Sequence, residues 1–186
     1  MSVTLTALAI SGSLRKKSTN SGLLRYAQQV APAELKIDIT DISDIPLYNA
    51  DLAAQGKPPA VASIIAAIAA ADALIFGCPE YNYSMAPALK NVIDWASREP
   101  GNRALDGKPV AILGAGGRMG SSRAQYHLRQ TCVFVNLHPL NKPEVFAHSS
   151  GGGFDEDGNL LDPKVRELVA EQMNAFIIWI QRLKAA

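Results

Sequence analysis

Two hydrophobic periods alternate along this chain. Residues 4–10 form an apolar, β-branched run that breaks at Ser11-Gly12-Ser13; this predicts a buried strand opening into a loop. Thr19–Val30 reads as a helix that stops near Pro32. Leu35, Ile37 and Ile39 alternate with polar residues, so 35–39 is a second strand with those three turned inward. Residues 42–59 carry Pro46, Gly56, Pro58 and Pro59 and read mostly as loop. An Ala/Ile helix follows over 60–71, then a short buried strand over Ala73–Gly77. Leu89, Val92, Ile93 and Ala96 make one stripe of a helix over 86–97. A fourth strand spans 109–113, a glycine-rich loop 114–120 and a helix 121–131. Residues 133–137 are the fifth strand or its approach. Asp162-Pro163 caps a last helix, whose core stripe is Val165, Leu168, Val169, Phe176, Ile177, Ile180 and Leu183.

Strands separated by helices imply parallel βαβ units, here an α/β three-layer sandwich around a five-stranded sheet. The flavodoxin-like order 2-1-3-4-5 competes with the six-stranded dinucleotide fold. In either, ligands sit beyond the carboxyl ends of the strands, so the loops after Ile10, Gly77 and Leu113 are the places to look. The length of 186 residues suits one domain over 1–186. With 18 basic and 17 acidic residues the net charge is +1, which argues against nucleic acid as a partner. Two distant cysteines, Cys78 and Cys132, exclude a disulfide framework or a cysteine zinc site. No signal peptide or membrane-length apolar run is evident, so a cytoplasmic protein with no membrane partner is expected.

The first loop, Ser11-Gly12-Ser13-Leu14-Arg15-Lys16-Lys17-Ser18-Thr19-Asn20-Ser21, runs from a strand into a helix N-terminus. Unpaired N–H groups and the helix dipole there favour an anion. The hydroxyls and the Arg15 fork suit a terminal phosphate. It matches neither the dinucleotide fingerprint nor a P-loop, and the plainer reading is a Ser18 N-cap beside a solvated basic loop. The second loop, Cys78-Pro79-Glu80-Tyr81-Asn82-Tyr83-Ser84, holds two of the chain's five tyrosines. They suit a planar ligand, or else they pack on the sheet edge with Ser84 as an N-cap.

Those segments, with Leu89-Lys90-Asn91-Val92-Ile93-Asp94-Trp95, the 123–130 stretch and Asn141-Lys142-Pro143-Glu144, resemble the NADPH-dependent FMN reductase family, and within it the bacterial chromate and quinone reductases. The resemblance runs through nearly the whole chain. It implies a flavodoxin-like fold, bound FMN, NADPH or NADH as co-substrate, and a homodimer or homotetramer. By position, it assigns the FMN phosphate to Ser11, Ser13, Arg15, Ser18 and Asn20. It assigns the ribityl chain and ring to Pro79, Glu80, Tyr81, Asn82 and Tyr83, with Ala115, Gly116 and Gly117 approaching from the other side. Family members often carry serines in that third loop; this chain has glycines.

The implied reaction passes a hydride from NAD(P)H through FMN to a small-molecule electron acceptor such as a quinone, a flavin or an oxidised metal like chromate. One exposed ring face implies ping-pong kinetics, and no side chain need be a nucleophile. The alternative is a flavodoxin-type electron carrier, though such carriers tend to be strongly acidic. Other signals are weaker. From Gly114 the third fingerprint glycine is replaced by Met119, and His127, His138 and His148 lack metal spacing. The 155–159 stretch fits a solvated turn better than a calcium loop, and Cys78 fits a small buried hydrophobe. Lys16 and Lys17 either attract an NADPH phosphate or are simply solvated. Trp95 and Trp179 fall beside their core stripes and are candidate interface anchors. Arg123 and Tyr126 share a helix face, and the resemblance pairs them with Glu144 of another subunit.

Overall fold

A computed structural model describes residues 4–185; the ends of the expected 1–186 domain lie outside the described residues. The elements are β1 (Leu5–Ser11), α1 (Thr19–Val30), β2 (Leu35–Thr40), α2 (Ala50–Ala54), α3 (Pro59–Ala70), β3 (Ala73–Gly77), β4 (Glu80–Tyr81), β5 (Ser84–Met85), α4 (Pro87–Ala96), β6 (Pro109–Gly116), α5 (Ser122–Phe134), β7 (His138–Pro139), β8 (Val145–His148) and α6 (Pro163–Lys184).

The main sheet is parallel. β1 pairs with β2 and β3, β3 with β6, and β6 with both β7 and β8. With β8 as the fifth long strand, the order is the flavodoxin-like 2-1-3-4-5. β3 is buried along its whole length and β6 through Ala115, as central strands covered on both faces must be. The apolar residues divide into two clusters, one on each face. One joins Leu8, Ile10, Leu74, Phe76 and Ile112 to α3, α4 and α5. The other joins Ala7, Ala9, Ile75, Ala111 and Leu113 to α1 and α6. Period-2 alternation along β1 and β3 thus feeds both outer layers at once.

Local chemistry sets the helix starts. Ser18 Oγ accepts from Ser21 N–H at 3.2 Å to cap α1. Asp162 accepts from Lys164 N–H at 2.9 Å and Val165 N–H at 3.3 Å to cap α6, and Pro163 holds its first position.

Three expectations need correction. The fifth strand is not 133–137: Val133 and Phe134 complete the last turn of α5, and Val145–His148 pairs with Leu113–Gly116 instead. Val133 and Phe134 are 80% and 85% exposed, so their β-branched and aromatic character misleads. Ile39 is not turned inward; it is 38% exposed at the end of β2. Trp95 is not a surface anchor. It is 2% exposed, donates Nε1–H to Pro46 O at 2.8 Å and meets Tyr48 edge-on at 5.0 Å, pinning the 42–49 loop to α4. Trp179 is half-buried and donates to His138 O at 2.9 Å, which ties α6 to β7. Part of the 42–59 loop forms the short helix α2.

Candidate active site

Strand pairing gathers the roots of three loops at the carboxyl ends of the central strands β1, β3 and β6. Ser11 aligns with Gly77, and Gly77 with Leu113. Beyond the ladder, Gly12 N–H donates to Gly77 O and Cys78 N–H to Leu113 O, each at 2.8 Å. Glycine is required where these loops touch. A Cβ on Gly114 would stand 2.3 Å from Cys78 O and 2.4 Å from Ser121 Oγ, and one on Gly12 would stand 2.9 Å from Pro79 Cδ.

In the first loop the backbone N–H groups from Leu14 to Lys17 carry no hydrogen bond among the described residues. The exposed Arg15 forms no ion pair among them, and neither does Lys16. Ser13 and Ser18 are buried at the loop's two ends. Ser11 Oγ braces the loop: it accepts from Ser13 N–H at 3.2 Å and from Ser21 Oγ at 3.1 Å, and donates to Ser13 O at 3.3 Å. Asn20 faces elsewhere. Its amide donates to Ala115 O at 3.0 Å and its Oδ1 accepts from Ala115 N–H at 2.9 Å, so it locks α1 to the end of β6. A cleft of 530 Å³ lies on the β2 side of this loop, where Arg15 and Lys16 face Thr40 and Asp41.

The second loop is a hairpin, β4–β5, which the sequence reasoning missed. Asn82 and Tyr83 have φ of 48° and 69°, the left-handed pair of a tight two-residue hairpin turn. The Asn was the available signal; a Tyr in that region costs energy and needs support. Arg123 supplies it, with its guanidinium stacked 3.6 Å from the centroid of the Tyr83 ring. The same guanidinium pairs with the Glu80 carboxylate, which is 8% exposed. Glu80 Oε2 also accepts from Ala124 N–H at 3.4 Å, beside the positive end of α5. Ser84 Oγ and His127 Nδ1 lie 3.1 Å apart. Glu80 and Arg123 thus hold the hairpin within one chain, and Glu144 pairs with Lys142 at 2.9 Å. Tyr81 and Tyr83 remain 45% and 66% exposed beyond the sheet edge. Pro79 is buried beneath them.

The third loop is nearly bare. Ala115 is 3% exposed, Gly116 rests against Ser121, and a Cβ on Gly117 would meet nothing within 4 Å. Gly116 and Gly117 therefore bring no side chain of their own to the exposed part of this loop.

The model of the NADPH-dependent FMN reductases matches residues 5–152. The chain belongs to that family. An NAD(P)H-dependent FMN reductase of Pseudomonas aeruginosa is 55% identical over 99% of this chain and all of its own length. A quinone reductase of Escherichia coli K12 is 39% identical over 99% of this chain, again over its full length. Among solved structures, FerB, an NAD(P)H:(acceptor) oxidoreductase of Paracoccus denitrificans, superposes with a TM-score of 0.86 at 33% identity. That alignment covers 96% of this chain and 98% of FerB. As a member of the family the protein is an FMN-dependent oxidoreductase with NAD(P)H as co-substrate.

The donor set of the first loop fits a phosphate monoester: free N–H groups, buried hydroxyls and an unpaired guanidinium at a helix start. The exposed tyrosines and the bare 115–117 backbone fit a planar ring. Neither cysteine fits a nucleophile. Burial pushes both thiols up to about 12. Iodoacetamide at pH 8 is expected to leave Cys78 and Cys132 unlabelled in the folded protein and to label both in denaturant, as mass spectrometry would read.

Proposed function

We propose that the protein oxidises NAD(P)H and reduces quinones, and that chromate and free flavins serve as further acceptors. The run of unpaired N–H donors beside Arg15 supports this most directly, because such a donor set suits a phosphate-bearing cofactor. Relatives named as quinone reductases and as an FMN reductase point to the acceptor class. Chromate rests on the sequence resemblance alone.

In this reading the first loop grips the FMN phosphate through its N–H groups, Ser13, Ser18 and Arg15. Ser11 and Asn20 shape that loop from behind. Pro79, Glu80, Tyr81, Asn82 and Tyr83 bound the ring through the hairpin, with Glu80 acting through Arg123. Ala115, Gly116 and Gly117 admit the ring because no side chain stands in its way. When bound, FMN supplies two-electron hydride chemistry between donor and acceptor. The protein's own task is to orient both partners and exclude water. Tyr81 and Tyr83 rim a single open edge, so donor and acceptor use it in turn. Parallel double-reciprocal lines for NADPH and a benzoquinone are the expected result; intersecting lines would overturn alternating use. NADPH oxidation that a quinone fails to accelerate would overturn the reductase reading. Tyr81→Ala is expected to change the KM for quinone or the choice of acceptor while leaving FMN affinity within about twofold, since an exposed ring at the rim shapes entry rather than anchoring.

The enzyme works, in this proposal, as one flavodoxin-like domain in the cytoplasm, where its two free thiols stay reduced. No helix among the described residues is long and apolar enough to cross a membrane. It assembles as a homodimer or homotetramer. Val133, Phe134 and Tyr126 support this reading, as an exposed apolar set on α5. Light scattering should give a mass above 19.8 kDa at micromolar concentration; a mass at that value would refute assembly.

A further inference from the structure

Beyond the 5–152 segment matched by the family model, residues 154–160 form a turn that presses on the outside of the phosphate loop. Hydrogen bonds brace it internally. Asp155 Oδ1 accepts from Asp157 N–H at 2.9 Å and from Asn159 N–H at 2.7 Å, while Asn159 Nδ2 donates to Asp155 Oδ2 at 2.9 Å. These bonds hold the Asp155 carboxyl below its usual range, with the Asn159 side chain the largest contributor. Phe154 and Leu160 bridge its base, and Leu160 is 2% exposed in the α1/α6 core. The turn is therefore anchored to the body of the fold.

Its tip meets backbone, not flexible side chains. A Cβ on Gly22 would stand 1.7 Å from Gly158 O. A Cβ on Gly158, where φ is +78°, would stand 2.9 Å from both Lys17 O and Ser18 O. Two glycines far apart in sequence are thus needed for one close approach. Arg25 clamps the contact from α1: its Nε and a terminal nitrogen donate to Asn159 Oδ1 at 3.0 and 2.7 Å, and the latter also donates to Asp157 O at 3.3 Å. Lys17 pairs with Asp157 at 3.0 Å. Every one of these contacts falls on residues 17–25, the segment that carries the helix start.

We infer that the 154–160 turn is a positioning element for the flavin phosphate, with Arg25, Gly158 and Asn159 as positioning residues that never touch it. The inference rests on the reading that residues 13–18 hold the FMN phosphate. The free N–H groups of Leu14 to Lys17 bind an anion well only if they converge before it arrives, and the few bonds within the loop, at Ser11–Ser13 and in the turn at Lys16–Lys17, leave its outer side to be held by a neighbour. The turn fixes residues 17 and 18 from behind, and Ser11 fixes residue 13 from the other end. Pre-ordering raises affinity because less conformational freedom is lost on binding.

Riboflavin carries the same ring and ribityl chain without the phosphate, so it separates positioning from general damage. Full-length protein freed of flavin is titrated with FMN and with riboflavin, following flavin fluorescence, for wild type, Arg25→Ala, Gly158→Ala and Arg15→Ala. Arg25→Ala and Gly158→Ala are expected to weaken FMN about five- to tenfold while leaving riboflavin within about twofold. Thermal unfolding of the flavin-free Arg25→Ala protein should stay close to wild type, since Arg25 is only half-buried and the hydrogen bonds it loses are solvent-exposed. Unchanged FMN affinity in both variants, with Arg15→Ala still weakening FMN, would overturn the positioning role and leave the phosphate site standing. Equal losses for FMN and riboflavin would overturn it too, as they would mark a general disturbance. FMN affinity unchanged by Arg15→Ala would remove the phosphate site itself, and the positioning role with it.

Discussion

Arg15→Ala should cost about 1.5–3 kcal/mol of FMN binding, a loss of roughly ten- to a hundredfold in affinity. The guanidinium sits on an exposed loop with no carboxylate partner among the described residues. Its removal therefore breaks no internal ion pair, and the folded protein should be nearly as stable as wild type. The missing interaction is a charge-assisted contact to a dianion, which neighbouring N–H groups do not replace. Arg15→Lys should restore only part of the affinity, because an ammonium keeps the charge but loses the two-pronged fork. Affinity should also fall with salt more gently in Arg15→Ala than in wild type. Titration of flavin-free protein reads all three effects. Equal affinity in wild type and Arg15→Ala would place the phosphate elsewhere.

Asn20→Ala should be the most damaging single change to the frame of the site. Asn20 is 4% exposed and satisfies both backbone groups of Ala115, which is itself buried. Truncation leaves one buried N–H and one buried C=O unpaired, at about 2–4 kcal/mol together. For a chain of this size that corresponds to roughly 5–15 °C of Tm. The end of β6 would also lose its tie to α1, so the 115–117 backbone would drift and flavin binding would weaken. Asn20→Asp separates the two bonds. Its carboxylate still accepts from Ala115 N–H but faces Ala115 O without a proton, so ionisation is disfavoured and the folded-state pKa rises. Stability is then lost as pH climbs through that raised pKa and recovers on acidification, when the protonated carboxyl donates again. Differential scanning at several pH values should show this recovery in Asn20→Asp and not in Asn20→Ala. An Asn20→Ala protein with an unchanged Tm would mean the Ala115 backbone finds other partners.

Much of this was legible in the residues themselves. The order of strands and helices follows from hydrophobic period, and Ser18 and Asp162 were readable as caps because their side chains act locally. The three loops were legible because a parallel sheet offers ligands the carboxyl ends of its strands. The misses share a different cause: each depends on partners distant in sequence. Trp95 lies beside its helix stripe, yet the 42–49 loop folds over it and supplies an acceptor at Pro46. Val133 and Phe134 have strand-like character, but the register of β6 is already taken by Val145–His148. Asn20 reads as a loop-facing amide until β6 is placed across from it, 95 positions away. Glu80 keeps its place in the second loop, but that Arg123 and the start of α5 hold its carboxylate is not readable from local spacing. The 155–159 turn is solvated as expected, with Asp155, Glu156, Asp157 and Asn159 exposed; what shows only in three dimensions is that Gly22 and Gly158 let it dock on α1.

The most direct test of the central claim is the visible absorbance of the purified protein under anaerobic conditions. It should be yellow, and the flavin released on denaturation should be FMN. The colour should bleach on addition of NADPH or NADH and return on addition of a quinone. A protein that takes up no FMN would contradict the cofactor site. A yellow protein that dithionite bleaches but NADPH and NADH leave unchanged would contradict the reductase and point to an electron carrier.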